Sequence, residues 1–233
     1  MARGEKPAPP DAGEPRRVGE AAARLGLSHV VVTSVTRDDL DDGGSDLFAE
    51  TVEALREQVP DVSVEVLVPD FRGDDIGLWT VLGSAPHVFN HNIETVPRLF
   101  PSVRPQASYA RSMRMLTKAA RWASAVATRP VIKTGFMVGL GEDPEEVDGL
   151  LLACAEAGVD VVTIGQYLRP SRRCMPVARY VKPNEFEEWR LAGEALGLET
   201  IAAPFVRSSY KAGAHLRAMT SQQRGSAETG PVA

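Results

Sequence analysis

The stretch that decides the fold is PEEVDGLLLACAEAGVDVVTIGQYL, residues 144–168. Its first half places apolar side chains at i, i+3, i+4 and i+7, the spacing of an amphipathic helix: Val147, Leu150, Leu151 and Cys154. Gly158 then suits the left-handed residue that ends a helix, and the mostly apolar run at 161–168 is typical of a strand covered on both faces. The stretch therefore predicts one helix–strand unit of a parallel sheet.

The same unit recurs on both sides of this stretch. Helical spacing is found at 18–25 and 48–59, and Gly26 and Gly197 follow helical segments as Gly158 does. Strands are predicted at residues 30–35, 64–68, 88–93, 131–140, 161–168 and 200–203. We therefore expect an α/β fold, a barrel or part of one, over residues 18–219, with an extended leader at 1–17 and a disordered tail at 220–233.

Composition and charge speak against several classes of protein. The chain has 233 residues, 26 basic and 31 acidic, and its net charge of −5 creates no field that would attract nucleic acid or an anionic membrane. It contains no apolar run of the roughly 20 residues that a membrane span needs and no apolar segment of a signal peptide. We expect a cytoplasmic protein. Its two cysteines, Cys154 and Cys174, match no zinc motif and are read as incidental thiols.

Polar clusters stand where the predicted strands end, and in a βα barrel these loops share one face. In TSVTRDDLDDGG, residues 33–44, the carboxylates suit a metal, a ribose or an amine, or else the aspartates cap the helix that starts at Ser45. In FNHNIET, strand alternation sends Asn92 and Glu94 to one side and His91 to the other. A lone histidine there is more often a satisfied core residue, so His91 is assigned no metal.

Two basic residues and one glycine turn complete the candidates. Arg104, in SVRP, has the planar fork that clamps a carboxylate, although a single arginine is more often a surface residue. Lys133 opens a buried strand, so its ammonium must find a partner or stay at the rim. GLGE, residues 139–142, is a strand-to-helix turn that would admit a ligand to the backbone, but it is weak as a nucleotide motif. No serine lies in a GxSxG elbow, which disfavours a hydrolase.

Read in order, eight segments between about residues 14 and 213 resemble the lipoyl synthase family: TSVTRDDLDDGG, EVLVPDFRG, VFNHNIETVPRL, VRPQASY, KTGFMVGLGE, GQYLRPS, PVARYV and PFVRSSYKA. The resemblance implies a radical S-adenosylmethionine enzyme with a partial βα barrel and two 4Fe-4S clusters. It implies insertion of sulfur at C6 and C8 of an octanoyl group that is carried by a lysine of a lipoyl domain or H protein.

The resemblance also implies roles for particular residues. Those that would bind or line the S-adenosylmethionine pocket are Asp38, Asp39, Asn92, Glu94, Arg104, Gln166 and Tyr167. Arg104 would meet the methionine carboxylate, and Gln166 and Tyr167 would close the adenosine side. One serine of RSSY would be a ligand of the auxiliary cluster, with Ser209 favoured and Ser208 as the alternative.

The sequence departs from the family pattern in its cysteines. The family's two triplets, CxxxxCxxxxxC and CxxxCxxC, are absent, and two thiols twenty residues apart cannot replace them. We expect that the first barrel strand is missing too, which would leave residues 30–35 as an aggregation-prone edge. The chain is then expected to be inactive alone, its cysteines encoded upstream or on a separate fragment. Alternatively it binds octanoylated lipoyl domains or S-adenosylmethionine without catalysis, or is a decayed fragment.

Overall fold

The computed structural model describes residues 8–209, which form one parallel sheet flanked by helices. The strands lie in chain order across the sheet: β1 (His29–Thr33), β2 (Ser63–Leu67), β3 (Val88–Asn90), β4 (Val131–Val138), β5 (Val161–Gln166) and β6 (Glu199–Ala202). All six predicted strands are confirmed. β3 is shorter than predicted because the chain leaves the ladder after Asn90 and returns only as an isolated bridge between Glu94 and Phe136.

Seven α-helices connect or precede these strands within the described residues. They are α1 (Glu14–Leu25), α2 (Ser45–Gln58), α3 (Asp75–Gly83), α4 (Phe100–Val103), α5 (Tyr109–Ala125), α6 (Pro144–Glu156) and α7 (Pro183–Ala195), with 3-10 turns at Phe71–Gly73 and Pro97–Leu99. The three helical faces read from the sequence are confirmed as α1, α2 and α6. Helix α1 begins at Glu14, so the predicted leader boundary at residue 17 falls inside it. None of the helices between residues 8 and 209 is long and apolar enough to span a bilayer.

Three glycines end helices in the left-handed conformation, as predicted. Gly26, Gly158 and Gly197 have φ of 62°, 79° and 82°. Because residues with a Cβ rarely adopt this conformation, glycine lets the chain turn sharply from helix to strand at each of these three positions.

The two faces of the sheet differ in character. One face packs against the helices and forms the main core, which includes Val64, Phe89, Ile132 and Ile164. The other is the inner face, where a small apolar group of Val88, Val131 and Val161, with Ile201 packed on it, lies near the amino end. Going toward the carboxyl end, polar side chains replace this group. The inner face therefore leads from an apolar base to a polar site.

Among residues 8–209, strand β1 forms one edge of the sheet and pairs only with β2. Its residues His29 to Val32 are half-buried and Thr33 is exposed. A cleft of about 480 Å³ runs along it, lined largely by the valines of residues 30–35 and by side chains of α1 and α2. The predicted apolar edge at residues 30–35 is thus present in the part of the chain that the structure describes.

Candidate active site at the carboxyl end of the sheet

The loops after β3 and β6 meet over the inner face of the sheet. Ser208 Oγ donates a hydrogen bond of 2.8 Å to Asn92 Oδ1, although 116 residues separate the two in the chain. Together with Glu94, Thr163 and Arg207 they line a cavity of about 90 Å³. Polar side chains of distant segments therefore meet at the carboxyl end of the sheet, where the active site of a βα barrel lies.

Two glycines make this convergence possible. A methyl group at Gly135 would overlap Thr163 Oγ1 and lie 3.1 Å from Asn92 Oδ1. A methyl group at Gly165 would overlap the carbonyl oxygen of Val206. The absence of a Cβ at Gly135 therefore leaves room for Thr163 and Asn92, and its absence at Gly165 lets the segment before Ser208 lie directly on β5.

Glu94 has an unusual backbone and a perturbed carboxyl group. Its φ of 75° is left-handed, a conformation that costs free energy in a residue with a Cβ and is often retained at functional sites. Hydrogen bonds with Gly135 and Met137 hold it there. Burial raises the pKa of Glu94, while the charge of Arg104 and a hydrogen bond from Asn92 act against that shift. Such a carboxyl group is suited to bind a hydroxyl or an ammonium.

Arg104 joins the same cluster. Its Nη1 donates to the carbonyl oxygen of Asn92 at 3.2 Å, and its guanidinium carbon lies 5.9 Å from the centroid of the Phe100 ring. The structure thus brings together Asn92, Glu94 and Arg104, three of the residues predicted for the site.

The acidic loop before α2 lies elsewhere. Asp39 pairs with Arg37 at 2.8 Å, and the Asp38 carbonyl accepts from Arg72. Asp42 accepts from the backbone amides of Gly44 and Asp46, so the capping interpretation holds for this residue. The structure does not bring Asp38 and Asp39 to the lining of the Asn92–Glu94 cavity.

Gln166 and Tyr167 anchor the loop that follows β5. Gln166 donates to the carbonyl of Arg179 at 3.1 Å and accepts from the amide of Val181 at 2.9 Å. The Tyr167 hydroxyl donates to the carbonyl of Met175 at 2.8 Å. These two predicted residues therefore hold the loop that follows β5, and neither is among the side chains that line the cavity.

Comparison with known proteins decides the family. No family model matches the chain. It is, however, 52% identical over 217 residues to the lipoyl synthase of Nitratidesulfovibrio vulgaris, a match that covers 93% of this chain and 71% of the relative. The lipoyl synthase of Chlamydia muridarum is 47% identical over 223 residues, covering 96% and 71% of the two chains. The chain belongs to the lipoyl synthase family.

Solved structures support the fold of this family member. SuiB from Streptococcus suis matches with a TM-score of 0.61 and 11% identity, over 88% of this chain and 44% of its own. Methylornithine synthase PylB matches with 0.59 and 15% identity, over 89% and 67%. The predicted partial barrel of the radical S-adenosylmethionine type is confirmed. Membership of the family implies S-adenosylmethionine and iron–sulfur clusters as its cofactors.

His91 is a satisfied core residue of this lipoyl synthase family member, as predicted. It is 1% exposed, and its two ring nitrogens lie 2.9 Å from the Val68 carbonyl and from Ser112 Oγ. Burial lowers its pKa to about 4, so the ring is neutral near pH 7.

Lys133 forms a buried ion pair with Glu65, a contact that was not predicted from the sequence. Its Nζ lies 3.0 and 3.2 Å from the two carboxylate oxygens of Glu65, and Asn90 donates to Glu65 Oε1 at 2.7 Å. All three side chains are buried. The only sequence signal was a single carboxylate within the apolar run VSVEVLV.

The backbone amides of the glycine turn, residues 139–142, are bound by a carboxylate of the same turn. Glu142 is buried, and its carboxylate accepts from the amides of Gly139 at 2.5 Å and Leu140 at 2.9 Å. Because an internal carboxylate occupies these amides, the turn does not offer them to a phosphate.

The described residues do not fit an iron–sulfur cluster. Cys154 is fully buried in α6, where burial raises its pKa to about 12, and Cys174 lies in the loop after β5. Between residues 8 and 209, no group of three His, Cys, Asp or Glu side chains is placed to hold a metal. Of the two serines considered as cluster ligands, Ser208 reaches the cavity and Ser209 is exposed.

Proposed function

We propose that this chain acts in the lipoyl synthase reaction, the insertion of two sulfur atoms at C6 and C8 of an octanoyl group held on a lysine of a lipoyl domain or H protein. The observation that carries the proposal is the 52% identity to a lipoyl synthase over 93% of the chain. The cluster of Asn92, Glu94 and Arg104 at the carboxyl end of the sheet supports it, because that is where an enzyme of this fold binds its reactants.

The cluster has the chemistry to bind S-adenosylmethionine. Glu94 is an acceptor for the ammonium or for a ribose hydroxyl, and Asn92 lies beside it. Arg104 uses one of its donors on Asn92, so others remain for the methionine carboxylate. The 90 Å³ cavity is smaller than a pocket for a whole nucleoside, so these residues would hold one part of the cofactor. Roles for Asp38, Asp39, Gln166, Tyr167 and the serines remain predictions.

Binding of S-adenosylmethionine is measured by calorimetry. We expect saturable heat from the wild-type chain and at least a tenfold weaker affinity in Glu94→Gln, because a buried charge-assisted hydrogen bond is lost. Glu50→Gln, at an exposed position of α2, is the matched control and should bind like the wild type. An absence of saturable heat from the wild type would refute the assignment of this pocket.

We further propose that the 233-residue polypeptide alone does not carry out the reaction. It contains two cysteines, one of them buried within a helix, whereas 4Fe-4S clusters are held mainly by sets of cysteine thiolates. The thiolates would then come from another segment or polypeptide. After anaerobic reconstitution we expect essentially no bound iron or sulfide. A stable cubane absorbance in the isolated chain contradicts this part of the proposal.

A second candidate is binding of an octanoylated lipoyl domain or S-adenosylmethionine without catalysis. It is favoured by one observation, that none of the described side chains lining the cavity is a thiolate, so these binding groups do not depend on iron. The two candidates separate when a segment bearing both cysteine triplets is supplied in trans. Lipoyl product formed only with that segment supports the enzyme, whereas binding that stays unproductive in its presence supports the second candidate.

A further inference from the structure

The loop that follows β5 is strongly basic. Residues 167–182 include five basic side chains, Arg169, Arg172, Arg173, Arg179 and Lys182, and no acidic one. The chain as a whole has the opposite balance, with 31 acidic and 26 basic residues. The positive charge is therefore concentrated at the carboxyl end of the sheet.

Most of these charges have no carboxylate partner among the residues that the structure describes. Arg179 pairs with Glu185 at 2.7 Å. Arg169 instead donates to the backbone carbonyls of Cys174 and Arg172, and Arg207, from the loop after β6, donates to the carbonyl of Val206. Exposed Arg172 and Arg173 have no ion pair with any residue between 8 and 209. We call Arg169, Arg172, Arg173 and Arg207 the arginine rim.

Exposed apolar side chains belong to the same two loops. Phe205 is 81% exposed, Tyr180 73% and Leu168 46%. Arginine and aromatic residues together are the types enriched in protein–protein interfaces. A surface of this kind suits a folded protein better than a small anion, for which charge alone would suffice.

The rim adjoins the candidate site. Arg207 lines the cavity with Asn92 and Ser208, and the segment before it lies on Gly165 of β5. An acyl chain attached to a lysine reaches this cavity only if the domain that carries the lysine rests on the surrounding loops. The occupant of the rim is therefore tied to the substrate.

We infer that the arginine rim is the docking surface for the protein domain that presents the octanoyl-lysine, and that this domain is acidic around its lysine. The inference rests on the proposed function and adds the chemistry of the partner's surface. Complementary charge at an interface mainly raises the association rate and suppresses wrong partners, and its effect weakens with salt.

The test measures binding of an octanoylated lipoyl domain to the full 233-residue chain by fluorescence anisotropy at low and high salt. We expect Arg172→Glu/Arg173→Glu to bind about tenfold more weakly than wild type at low salt, with the difference shrinking at high salt. Both positions are exposed and have no ion pair in the described part of the chain, so the fold should be unaffected. The control is Arg24→Glu/Arg121→Glu. Both arginines are exposed and lie near the C-terminal ends of α1 and α5, which lead to the amino end of the sheet, opposite the candidate site.

The outcomes distinguish this inference from the function it rests on. The docking surface is refuted, and the function stands, if the wild type binds the domain and the rim variant binds it with the same affinity. The same holds if the rim variant and the control variant lose affinity to the same extent. If the wild type does not bind the octanoylated domain, both are refuted. Tighter binding of a duplex oligonucleotide than of the domain at the same salt would also overturn the inference, because the rim would then be a nucleic-acid site.

Discussion

The buried ion pair between Glu65 and Lys133 makes the fold sensitive to the loss of either partner, and the free-energy cost of that loss can be measured. The two side chains are 1% and 5% exposed and lie 3.0 Å apart. Replacing Lys133 by Met leaves the Glu65 carboxylate buried with Asn90 as its one remaining donor among residues 8–209, and breaking a buried pair in this way costs about 3–5 kcal/mol. Glu65→Leu should cost at least as much, because it leaves both a buried ammonium and an unpaired Asn90 amide.

The double variant separates the pair from its surroundings. In Glu65→Leu/Lys133→Met neither charge is buried, and the remaining cost is the unpaired Asn90 amide, about 1–3 kcal/mol. We therefore expect the double variant to be more stable than Glu65→Leu alone. The free energy of unfolding is measured by urea titration followed by circular dichroism, and the coupling is read from the double-mutant cycle.

A matched exposed pair is the control. Lys118 and Asp75 pair at the surface, where their side chains are 41% and 49% exposed, so Lys118→Met should cost about 0–1 kcal/mol. If Lys133→Met costs no more than Lys118→Met, or if the two single changes at Glu65 and Lys133 simply add, the reasoning about the buried pair is refuted.

Three further predictions concern the site, the core and the sheet edge. Gly135→Ala should abolish calorimetric binding of S-adenosylmethionine, because a methyl group there displaces Thr163 and Asn92, whereas Gly149→Ala on α6, where a methyl group meets nothing within 4 Å, should not; equal binding by both contradicts the site geometry. The neutral His91 ring, with a pKa of about 4 against 6.5 in the unfolded chain, stabilises the fold fully above pH 6.5, and about 3 kcal/mol of this is lost as the pH falls toward 4. Urea titrations from pH 7 to pH 4.5 should therefore show a steeper loss in wild type than in His91→Gln, and parallel curves would contradict the shift. At micromolar concentration the isolated chain should lose part of its protein to aggregates because β1 is an apolar edge, and Val35→Lys, at a position that is 72% exposed, should raise the soluble fraction on which the binding and unfolding measurements are made; an equal soluble fraction in both proteins would contradict this.

Local sequence patterns were enough for much of this protein. The six strands, the left-handed glycines and the buried role of His91 follow from periodicity and from preferences that depend on a few neighbouring residues. The family follows from the order of short motifs along the chain, which needs no coordinates. Such features depend on residues that are close together in sequence, so the sequence alone is enough to predict them.

Contacts across the sheet were not accessible in that way. Lys133 meets Glu65 across 68 residues and Ser208 meets Asn92 across 116, and both pairings depend on the strand register and on the path of loops after β3 and β6. The family resemblance implies that Gln166 and Tyr167 share a pocket with Asn92, but it could not show that their side chains bond to Arg179 and Met175 in the loop that follows β5. Order along the chain specifies at which end of the sheet a residue lies. The direction of its side chain at that end is set by close packing with partners that only the folded chain brings into contact.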